Sequence, residues 1–367
     1  MRLMKTYINS STIILSFLLC VFNASESLLV GIANLRQETK PNSTKIIFLV
    51  ELVKIVVSII LLSIELRCFS GGISQETAFS QYRKSNSIIN FAPLIQSLKS
   101  IFTDSTTLLF GIPAMAYFIN NNLVFLILNL MNPPTFTVLS NLKILTTGLF
   151  SYIFLNRILS TTQWISLVLL FIGTTIAQIQ FSSEGSFEFT SPFGFLLILI
   201  FSSISAGASV YTEYVMKDKF GNESINLQNI KLYLFGVLLN GLVYFTLSYR
   251  SDDGFFLTLY PIHYAIIISV CSLGLITSAI IKYSGSITKV YASSLAMFFS
   301  GFVCYYILEF SPNINFFLGA LICCLSVHMY STGGLDQYNV IGSKEQESSL
   351  INEDLEENIG LEKKIFY

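Results

Sequence analysis

The sequence predicts an all-α integral membrane protein with ten transmembrane helices in an inverted 5+5 repeat. Three observations predict this fold class. Hydrophobic residues make up 53% of the 367 residues and charged residues only 12%, against about 25% charged in an ordinary soluble domain. Ten segments are apolar over the length of about 20 residues that crosses a hydrocarbon core. With an odd number of spans in each half, two similar halves would be inserted in opposite orientations.

The first predicted span, 11–32, follows Arg2 and Lys5 and therefore also resembles a signal peptide. Its apolar character resumes at 28–32, which favours a retained membrane helix. The longest break, 67–104, begins with a polar loop and ends in a segment, 88–102, that is typical of a short helix on the membrane surface. The other predicted spans are 44–66, 105–129, 134–155, 161–180, 192–216, 229–248, 263–283, 288–309 and 313–331.

The distribution of Lys and Arg residues orients these spans. Loops on one side carry thirteen of the cations and loops on the other side carry four, so the positive-inside rule predicts that both termini are cytosolic. The membrane domain then covers 1–332, with halves of about 11–180 and 192–331. Residues 333–367 form an acidic tail whose composition predicts disorder. The sequon at Asn42 lies on the other side, close to the membrane, and its use stays open.

The two halves share a faint internal similarity. Spans 134–155 and 288–309 align without gaps at a spacing of 153 residues, and the alignment pairs Gly148 with Gly301 and Tyr152 with Tyr305. Small residues and leucines are common in membrane helices, so this alignment supports the repeat only weakly.

The chemistry-bearing residues exclude several function classes. The six cysteines show no metal-ligand spacing, and all but Cys68 lie in apolar segments, where a thiol acts as a small hydrophobe. The sequence contains no glycine-rich phosphate loop, HExxH or GxSxG motif, and its two histidines are isolated. A net charge of −1 gives no field that favours nucleic acid. We therefore predict no enzyme activity, no disulfide framework, no cofactor or metal, and no nucleic-acid partner.

Four lysines are assigned to the predicted spans, and Lys45 and Lys289, each at the second residue of a span, are counted with the loops. Lys143 lies about ten residues from either end of its span, where an unpaired ammonium group costs about 3 kcal/mol unless it faces a partner or a polar cavity. Lys54 is also mid-span, and Glu51 lies three residues earlier on the same helix face, so the two can form an ion pair. Lys282 and Lys231 lie near span ends, where an interfacial position is the simpler interpretation. Lysines without matching acids favour an anionic ligand such as phosphate.

Other polar residues accompany these lysines. The run Asn120–Asn122 offers amide groups that can bind a nucleobase or a ribose, or can simply join helices at about 0.6 kcal/mol each. Small residues are dense at Ser202–Ser209, where they allow either helix sliding or ordinary tight packing. Glu213 can pair with Lys217 one turn later.

Several short motifs identify a family. The most specific are Asn121-Asn122, Leu142–Thr147, Leu155-Asn156-Arg157, Leu159-Ser160 and Gln163-Trp164. With these motifs the chain resembles, along nearly its whole length before the tail, the Golgi nucleotide-sugar transporters. The branch is the one for CMP-sialic acid, UDP-galactose and UDP-N-acetylglucosamine, within the drug/metabolite transporter superfamily. Further matches occur at Glu51, Lys54, Val210-Tyr211, Glu213, Asn229-Ile230, Tyr233, Lys282-Tyr283 and Lys289.

The resemblance implies that a cytosolic nucleotide sugar is exchanged for a lumenal nucleoside monophosphate across the Golgi membrane. The partners implied are these two ligands and the lipid bilayer, and a homodimer stays open. A central cavity would bind the substrate, with Lys143 near its phosphate. The substrate-binding residues implied by position are Lys54, Tyr117, Asn120, Asn121, Phe136, Lys143, Ser205, Tyr211, Asn229, Tyr233 and Lys282.

The chain departs from the family pattern at several positions. Phe136 and Ser140 stand where the family usually has tyrosines, and Asn120 and Lys231 replace glutamines. Ser284-Gly285-Ser286 stands where an Asp-Asn pair usually follows Lys-Tyr. The lost hydroxyl groups bear on the base and the sugar more than on the fold. We predict a UDP-sugar, such as UDP-galactose or UDP-N-acetylglucosamine, ahead of a CMP-sugar.

Two points stay open at this stage. The ending Lys363-Lys364-Ile365-Phe366-Tyr367 resembles a dilysine retrieval signal displaced by one residue, which leaves the endoplasmic reticulum open beside the Golgi. The alternative functions are transport of another anionic metabolite and a non-transporting membrane scaffold. The intramembrane lysines argue against a cationic cargo.

Overall fold

Helices form nearly all of the described chain. The structure, a computed structural model, describes residues 10–35, 43–70, 92–131, 133–179, 192–250, 259–308 and 313–334, and none of these residues lies in a strand. Within them, eight helices are long and apolar enough to cross a membrane. The prediction of an all-α, multi-pass membrane protein is therefore confirmed at this level. The sequon residue Asn42, the turn residue Asn132 and the acidic tail from residue 335 on lie outside the described residues, while residues 333 and 334 belong to the last helix.

The helices occur in the order that hydropathy predicts. They are α1 (Ser10–Leu35), α2 (Ser43–Ser70), α3 (Ala92–Thr103), α4 (Gly111–Leu128), α5 (Pro133–Ser140), α6 (Leu142–Phe154), α7 (Thr161–Gln178), α8 (Pro192–Glu213), α9 (Ile225–Arg250), α10 (Pro261–Tyr283), α11 (Ser286–Leu308) and α12 (Ile314–Gly334). A 3₁₀ segment (Ser105–Phe110) precedes α4, and a π-helical segment (Tyr214–Lys219) follows α8.

The fourth predicted span, 134–155, is divided into α5 and α6. The division lies at Asn141, where the Ile144 amide bonds to the Asn141 carbonyl at 2.8 Å, an i to i−3 contact. The Asn141 side chain donates to Gln178 Oε1 of α7 at 2.8 Å. The eight helices that are long and apolar enough to cross a membrane do not include the α5–α6 pair or α11. The other eight predicted spans each correspond to one of them.

The predicted surface helix begins at residue 92 as α3. Its Leu94, Leu98 and Ile101 pack against Leu62 of α2, while Phe102 is exposed. At its end, Asp104 caps the 3₁₀ segment by accepting from the Thr106 amide at 2.9 Å. The nearby Thr106 side chain and the hydrogen bond from the Thr106 amide lower the pKa of the Asp104 carboxyl. The 3₁₀ segment thereby connects α3, which has one apolar face, to the membrane-spanning helix α4.

The helix contacts occur in pairs that are offset by five spans. Helix α8 packs against α4 and α6, as α1 packs against α10 and α11. Helix α4 packs against α9, as α10 packs against α2, and α2 and α9 pack against each other. Helix α6 packs against the next helix, α7, as α11 packs against α12.

Glycines set the closest helix approaches. A Cβ on Gly148 of α6 would lie 2.6 Å from Leu167 of α7, and a Cβ on Gly301 of α11 would lie 2.6 Å from Phe316 of α12. The two glycines that the sequence alignment pairs therefore have equivalent packing roles. Small residues of this kind let membrane helices gain van der Waals contact, which drives their association in lipid.

Candidate functional site

Lys143 lies at the second position of α6, next to the interruption at Asn141. Its side chain is partly buried. No hydrogen bond or ion pair joins its ammonium group to any residue that the structure describes. Interrupted helices in membrane transporters commonly line the site of the substrate or ion. Lys143 is therefore free to bind an anion.

A second lysine approaches Lys143 from α11. Lys289 Nζ lies 5.7 Å from the centroid of the Tyr117 ring and 3.4 Å from Ser209 Oγ, and its positive charge acts on Lys143. Among the described residues, neither ammonium group has a carboxylate within ion-pair distance. We call Lys143, Lys289, Tyr117 and Ser209 the lysine cluster.

The lysine cluster suits a ligand with more than one negative charge. Two neighbouring ammonium groups repel each other, and the repulsion is stronger in a low-dielectric interior than in water. Phosphate oxygens offset both charges and accept hydrogen bonds that are stronger than those between neutral groups.

The three asparagines of α4 point in different directions, because successive residues of a helix are about 100° apart. The side of α4 toward lipid is marked by its exposed apolar side chains, Ile112, Met115, Ile119 and Leu126. Asn122 lies on this side and donates to the Phe118 carbonyl at 2.8 Å. Asn120 is buried, and Asn121 is exposed on a different side of α4 from these four apolar side chains.

Three predicted site residues carry a buried oxygen that has no hydrogen-bond partner within the described ranges: Asn120 Oδ1, Asn229 Oδ1 and Tyr233 Oη. The Tyr233 hydroxyl lies near Ser278 of α10 but outside hydrogen-bonding geometry. Leaving a buried polar atom unpaired costs about 1–3 kcal/mol. These oxygens mark positions at which a bound ligand or water would restore a hydrogen bond.

Lys54 differs from Lys143 because an acid already neutralises it. Its Nζ lies 2.8 Å from Glu51 Oε1 and 5.1 Å from the centroid of the Tyr233 ring. Two glycines leave room for this pair. A Cβ on Gly236 would lie 2.7 Å from Glu51 Oε2, and a Cβ on Gly274 would lie 2.6 Å from Lys54 Cε. The predicted ion pair is confirmed, and Lys54 adds no net charge to the site.

Lys282 binds protein groups at the start of α9. Its ammonium group donates to the Glu223 backbone carbonyl and to Gln228 Oε1, the latter at 2.9 Å. The Lys282 side chain is 6% exposed. In this structure Lys282 therefore holds the α8–α9 connection against α10.

Lys231 lies near the start of α9 and is buried among protein groups. It is 2% exposed and donates to both Glu223 carboxylate oxygens at 2.9 and 2.8 Å. The rings of Phe110 and Phe220 cover it, each with its centroid 5.5 Å from Nζ. Aromatic faces and a two-point carboxylate contact offset the loss of water around the ammonium group.

We expect Lys231→Met to destabilise the protein by about 2–3 kcal/mol, because it leaves the Glu223 carboxylate without its partner. Breaking a fully buried pair costs more, but the Glu223 side chain is 27% exposed. Thermal unfolding in detergent measures the loss. Lys219→Met, at an exposed position nearby, is the control, and Lys231→Met with Glu223→Gln should recover part of the stability. Equal unfolding temperatures for the two single variants would contradict the expectation.

Comparison with known proteins identifies the family. A family model for nucleotide-sugar transporters matches residues 8–331. The chain belongs to the nucleotide-sugar transporter family. Its relatives include CMP-sialic acid transporter 1 of Arabidopsis thaliana, which is 32% identical over 85% of this chain and 87% of the relative. Probable UDP-sugar transporter protein SLC35A4 of Xenopus tropicalis is 34% identical over 65% of this chain and 75% of the relative.

A solved crystal structure is similar in fold to this nucleotide-sugar transporter, with a TM-score of 0.60 and 13% sequence identity. The match covers 89% of this chain and 99% of the other. At that identity the likeness extends to the fold alone. Because the family consists of transporters, the prediction that the chain is not an enzyme is confirmed.

Two other predicted residues of this nucleotide-sugar transporter lie on or against α8. Ser205 is one turn from Ser209 on the same side of α8, and therefore beside the lysine cluster. Phe136 of α5 packs edge-on against Phe201 of α8, with the ring centroids 5.3 Å apart. Phe136 thus meets another aromatic ring and offers no hydroxyl group.

Tyr211 is separated from these residues. It lies about 160° around α8 from Ser209 and lines a groove of 440 Å³ between α4, α6 and α8. Other residues that line the groove, Ile112 and Phe154, are exposed and apolar. The structure therefore places Tyr211 toward the lipid-facing side of this transporter.

Two charged residues of the site were missed from the sequence. Lys289 was counted among the loop lysines, although it stands three residues inside α11. Glu26 of α1 is the other, and the Lys54 charge acts on it. The signal for Glu26 was its position near the middle of the first apolar span.

Proposed function

We propose that this chain exchanges a cytosolic pyrimidine nucleotide sugar for a lumenal nucleoside monophosphate by alternating access. The observation that carries the proposal is the lysine cluster. The charge of Lys289 acts on Lys143, and neither lysine has a carboxylate within ion-pair distance among the described residues. The chain belongs to the nucleotide-sugar transporter family, and the phosphates of a nucleotide sugar would balance the two positive charges.

The charge balance gives a physical reason for exchange. In the empty cavity the two ammonium groups are uncompensated, and charges in the membrane interior are costly. A bound nucleotide offsets them whichever side the cavity faces, so the loaded protein changes sides more readily than the empty one. The concentration gradients of the two ligands then suffice to drive the exchange.

The nucleoside part of the ligand has its own candidate partners. Asn120, Asn229 and Tyr233 hold buried oxygens without partners among the described residues, and the exposed Asn121 lies on a different side of α4 from Ile112, Met115, Ile119 and Leu126. Amide and hydroxyl groups pair with the edge of a base or with ribose hydroxyls. We assign these four residues to the nucleoside and the lysine cluster to the phosphates.

The proposed architecture is ten spans in two inverted halves of five. It is supported by helix contacts that recur with an offset of five spans and by the equivalent packing of Gly148 and Gly301. An axis in the membrane plane would relate halves of this kind and place the site between them. The interrupted α5–α6 pair and α11 would then be equivalent spans.

The identity of the base and the sugar of the transported nucleotide sugar is a more specific part of the proposal. We expect a UDP-sugar, such as UDP-galactose or UDP-N-acetylglucosamine, as the cargo. A CMP-linked sugar is the second candidate, because a relative that matches most of the chain is a CMP-sialic acid transporter. Phe136 and Ser140 replace tyrosines of the family, so the contacts that discriminate between bases differ here. The proposed location is the Golgi membrane with both termini in the cytosol.

Transport by purified protein in liposomes tests the proposal. Preloading with UMP should stimulate uptake of a UDP-sugar several-fold, and stimulation of CMP-sialic acid uptake by CMP would instead support the second candidate. The same ligands should raise the unfolding temperature, because a ligand that binds only the folded state stabilises it. If no nucleoside monophosphate stimulates uptake of any nucleotide sugar, the proposed exchange is wrong.

A further inference from the structure

Glu213 lies at the end of α8, where three other segments meet it. It is 1% exposed. Its Oε2 accepts hydrogen bonds from the backbone amide and the hydroxyl of Ser286, at 2.6 and 2.5 Å. Its Oε1 lies 3.7 Å from Arg157 Nη2 and 3.9 Å from Lys217 Nζ. One buried carboxylate thus joins the loop after α6, the end of α8 and the first residue of α11. We call these four residues the Glu213 junction.

The backbone beside the Glu213 junction fits closely around it. Asn156 and Gly285 have φ angles of 49° and 100°, in the left-handed region that favours glycine. A Cβ on Gly285 would collide with Glu213 Oε1 and lie 3.2 Å from Arg157 Nη1. Directly after Glu213 the chain continues as the π-helical segment, and such segments are frequent at functional sites.

The Glu213 junction lies about one helical turn from the lysine cluster. Glu213 follows Ser209 by four residues on α8, and Ser286 precedes Lys289 by three residues on α11. Helices α8 and α11 are therefore joined at two successive levels, by Ser286 with Glu213 and by Lys289 with Ser209. A phosphate that binds Lys289 competes with its contact to Ser209, and so changes how firmly the two helices are held together.

We infer that Glu213 is a positioning residue that closes this end of the bundle and makes its opening depend on phosphate bound at the lysine cluster. The inference rests on the proposed exchange function. This end carries the α6–α7, α8–α9 and α10–α11 connections, which the positive-inside rule assigns to the cytosol. Opening toward the cytosol separates α11 from α8 or from the end of α6, and Glu213 holds all three. Without its charge the empty protein opens more readily, and the two fluxes lose their coupling.

Glu213→Gln is the direct test, because glutamine keeps the shape of the side chain and removes the charge beside Arg157 and Lys217. In liposomes, we expect the several-fold stimulation of uptake by preloaded nucleoside monophosphate to be lost, so that uptake is nearly equal with and without preloading. The thermal stabilisation by the same monophosphate should persist, because the lysine cluster is intact. Asp218→Asn removes an exposed carboxylate of the adjoining segment, whose charge acts on Lys217 less than that of Glu213 does, and should leave most of the stimulation in place.

Amide hydrogen exchange in the first turn of α11 reports the opening itself. We expect faster exchange there in ligand-free Glu213→Gln than in the unaltered protein, and a smaller change on adding UMP or CMP in the variant, because its opening no longer depends on phosphate. Ser286→Ala removes the hydroxyl donor and keeps the backbone donor, so it should show both effects at smaller size. Ser286→Ala also decides the question if Glu213→Gln does not fold.

Equal stimulation by preloading in the variants and the unaltered protein would overturn the positioning role, and so would unchanged amide exchange in α11. Loss of ligand-dependent stabilisation in a folded Glu213→Gln would overturn it too, because the defect would then lie in binding. The proposed function fails in a different way. In that case the unaltered protein itself shows no stimulation by any nucleoside monophosphate.

Discussion

We expect Lys143→Ala to abolish exchange and to leave the protein folded. Lys143 has no partner within the described residues, so the variant breaks no internal ion pair. It also removes a charge whose presence inside the membrane costs about 3 kcal/mol, so the ligand-free variant should be at least as stable as the unaltered protein. The ligand, by contrast, loses charge-assisted hydrogen bonds worth about 1.5–3 kcal/mol.

Two measurements separate these effects. The unfolding temperature without ligand should stay level or rise, and its increase with UMP or CMP should disappear. Lys143→Arg keeps the charge and should keep part of the binding, since arginine also binds phosphate. Lys219→Ala removes an exposed lysine outside the lysine cluster and is the matched control. Exchange at the normal rate in Lys143→Ala would show that Lys143 does not bind the phosphate.

The membrane fold was largely predictable because hydropathy reports directly on lipid. Eight predicted spans correspond to helices of sufficient length, since each must satisfy its own backbone hydrogen bonds in the hydrocarbon core. The division at Asn141 was not predictable. At this point the Asn141 side chain contacts Gln178, which is 37 residues away in sequence, and a hydropathy average over a window of residues does not detect one changed hydrogen bond.

The candidate site was predictable where a single residue carried the signal. Lys143 stood out because a lysine in the middle of a span needs an explanation. Lys231 and Lys289 did not stand out, because a lysine near the end of a span can reach water. Their actual surroundings come from tertiary contacts, namely the Phe110 and Phe220 rings around Lys231 and the Tyr117 ring beside Lys289. Tyr211 was expected to bind substrate because it lies in a family motif. A motif does not specify which way a side chain faces, and Tyr211 lines the groove between α4, α6 and α8.

Gly319→Ala should give a large loss of stability, of about 3 kcal/mol, at the upper end of the usual cost of overpacking. A Cβ on Gly319 of α12 would lie 2.5 Å from the Gly173 carbonyl oxygen and 2.8 Å from the Ala177 amide nitrogen of α7. Both are backbone atoms, so no side-chain rotation relieves the contact and the two helices must move apart. Separation loses the van der Waals packing that holds membrane helices together.

The matched control for Gly319→Ala is Gly207→Ala, whose Cβ would lie 3.5 Å from the Phe150 ring, an ordinary contact distance. Both variants replace a glycine inside a membrane helix by alanine, so they change intrinsic helix propensity equally. Thermal unfolding in the same detergent should lower the midpoint for Gly319→Ala and leave Gly207→Ala level or slightly raised. Equal midpoints would mean that the close approach of α7 and α12 contributes little to stability. A lowered midpoint for Gly319→Ala alone would show that α7 and α12 pack too closely at Gly319 for any side chain to fit.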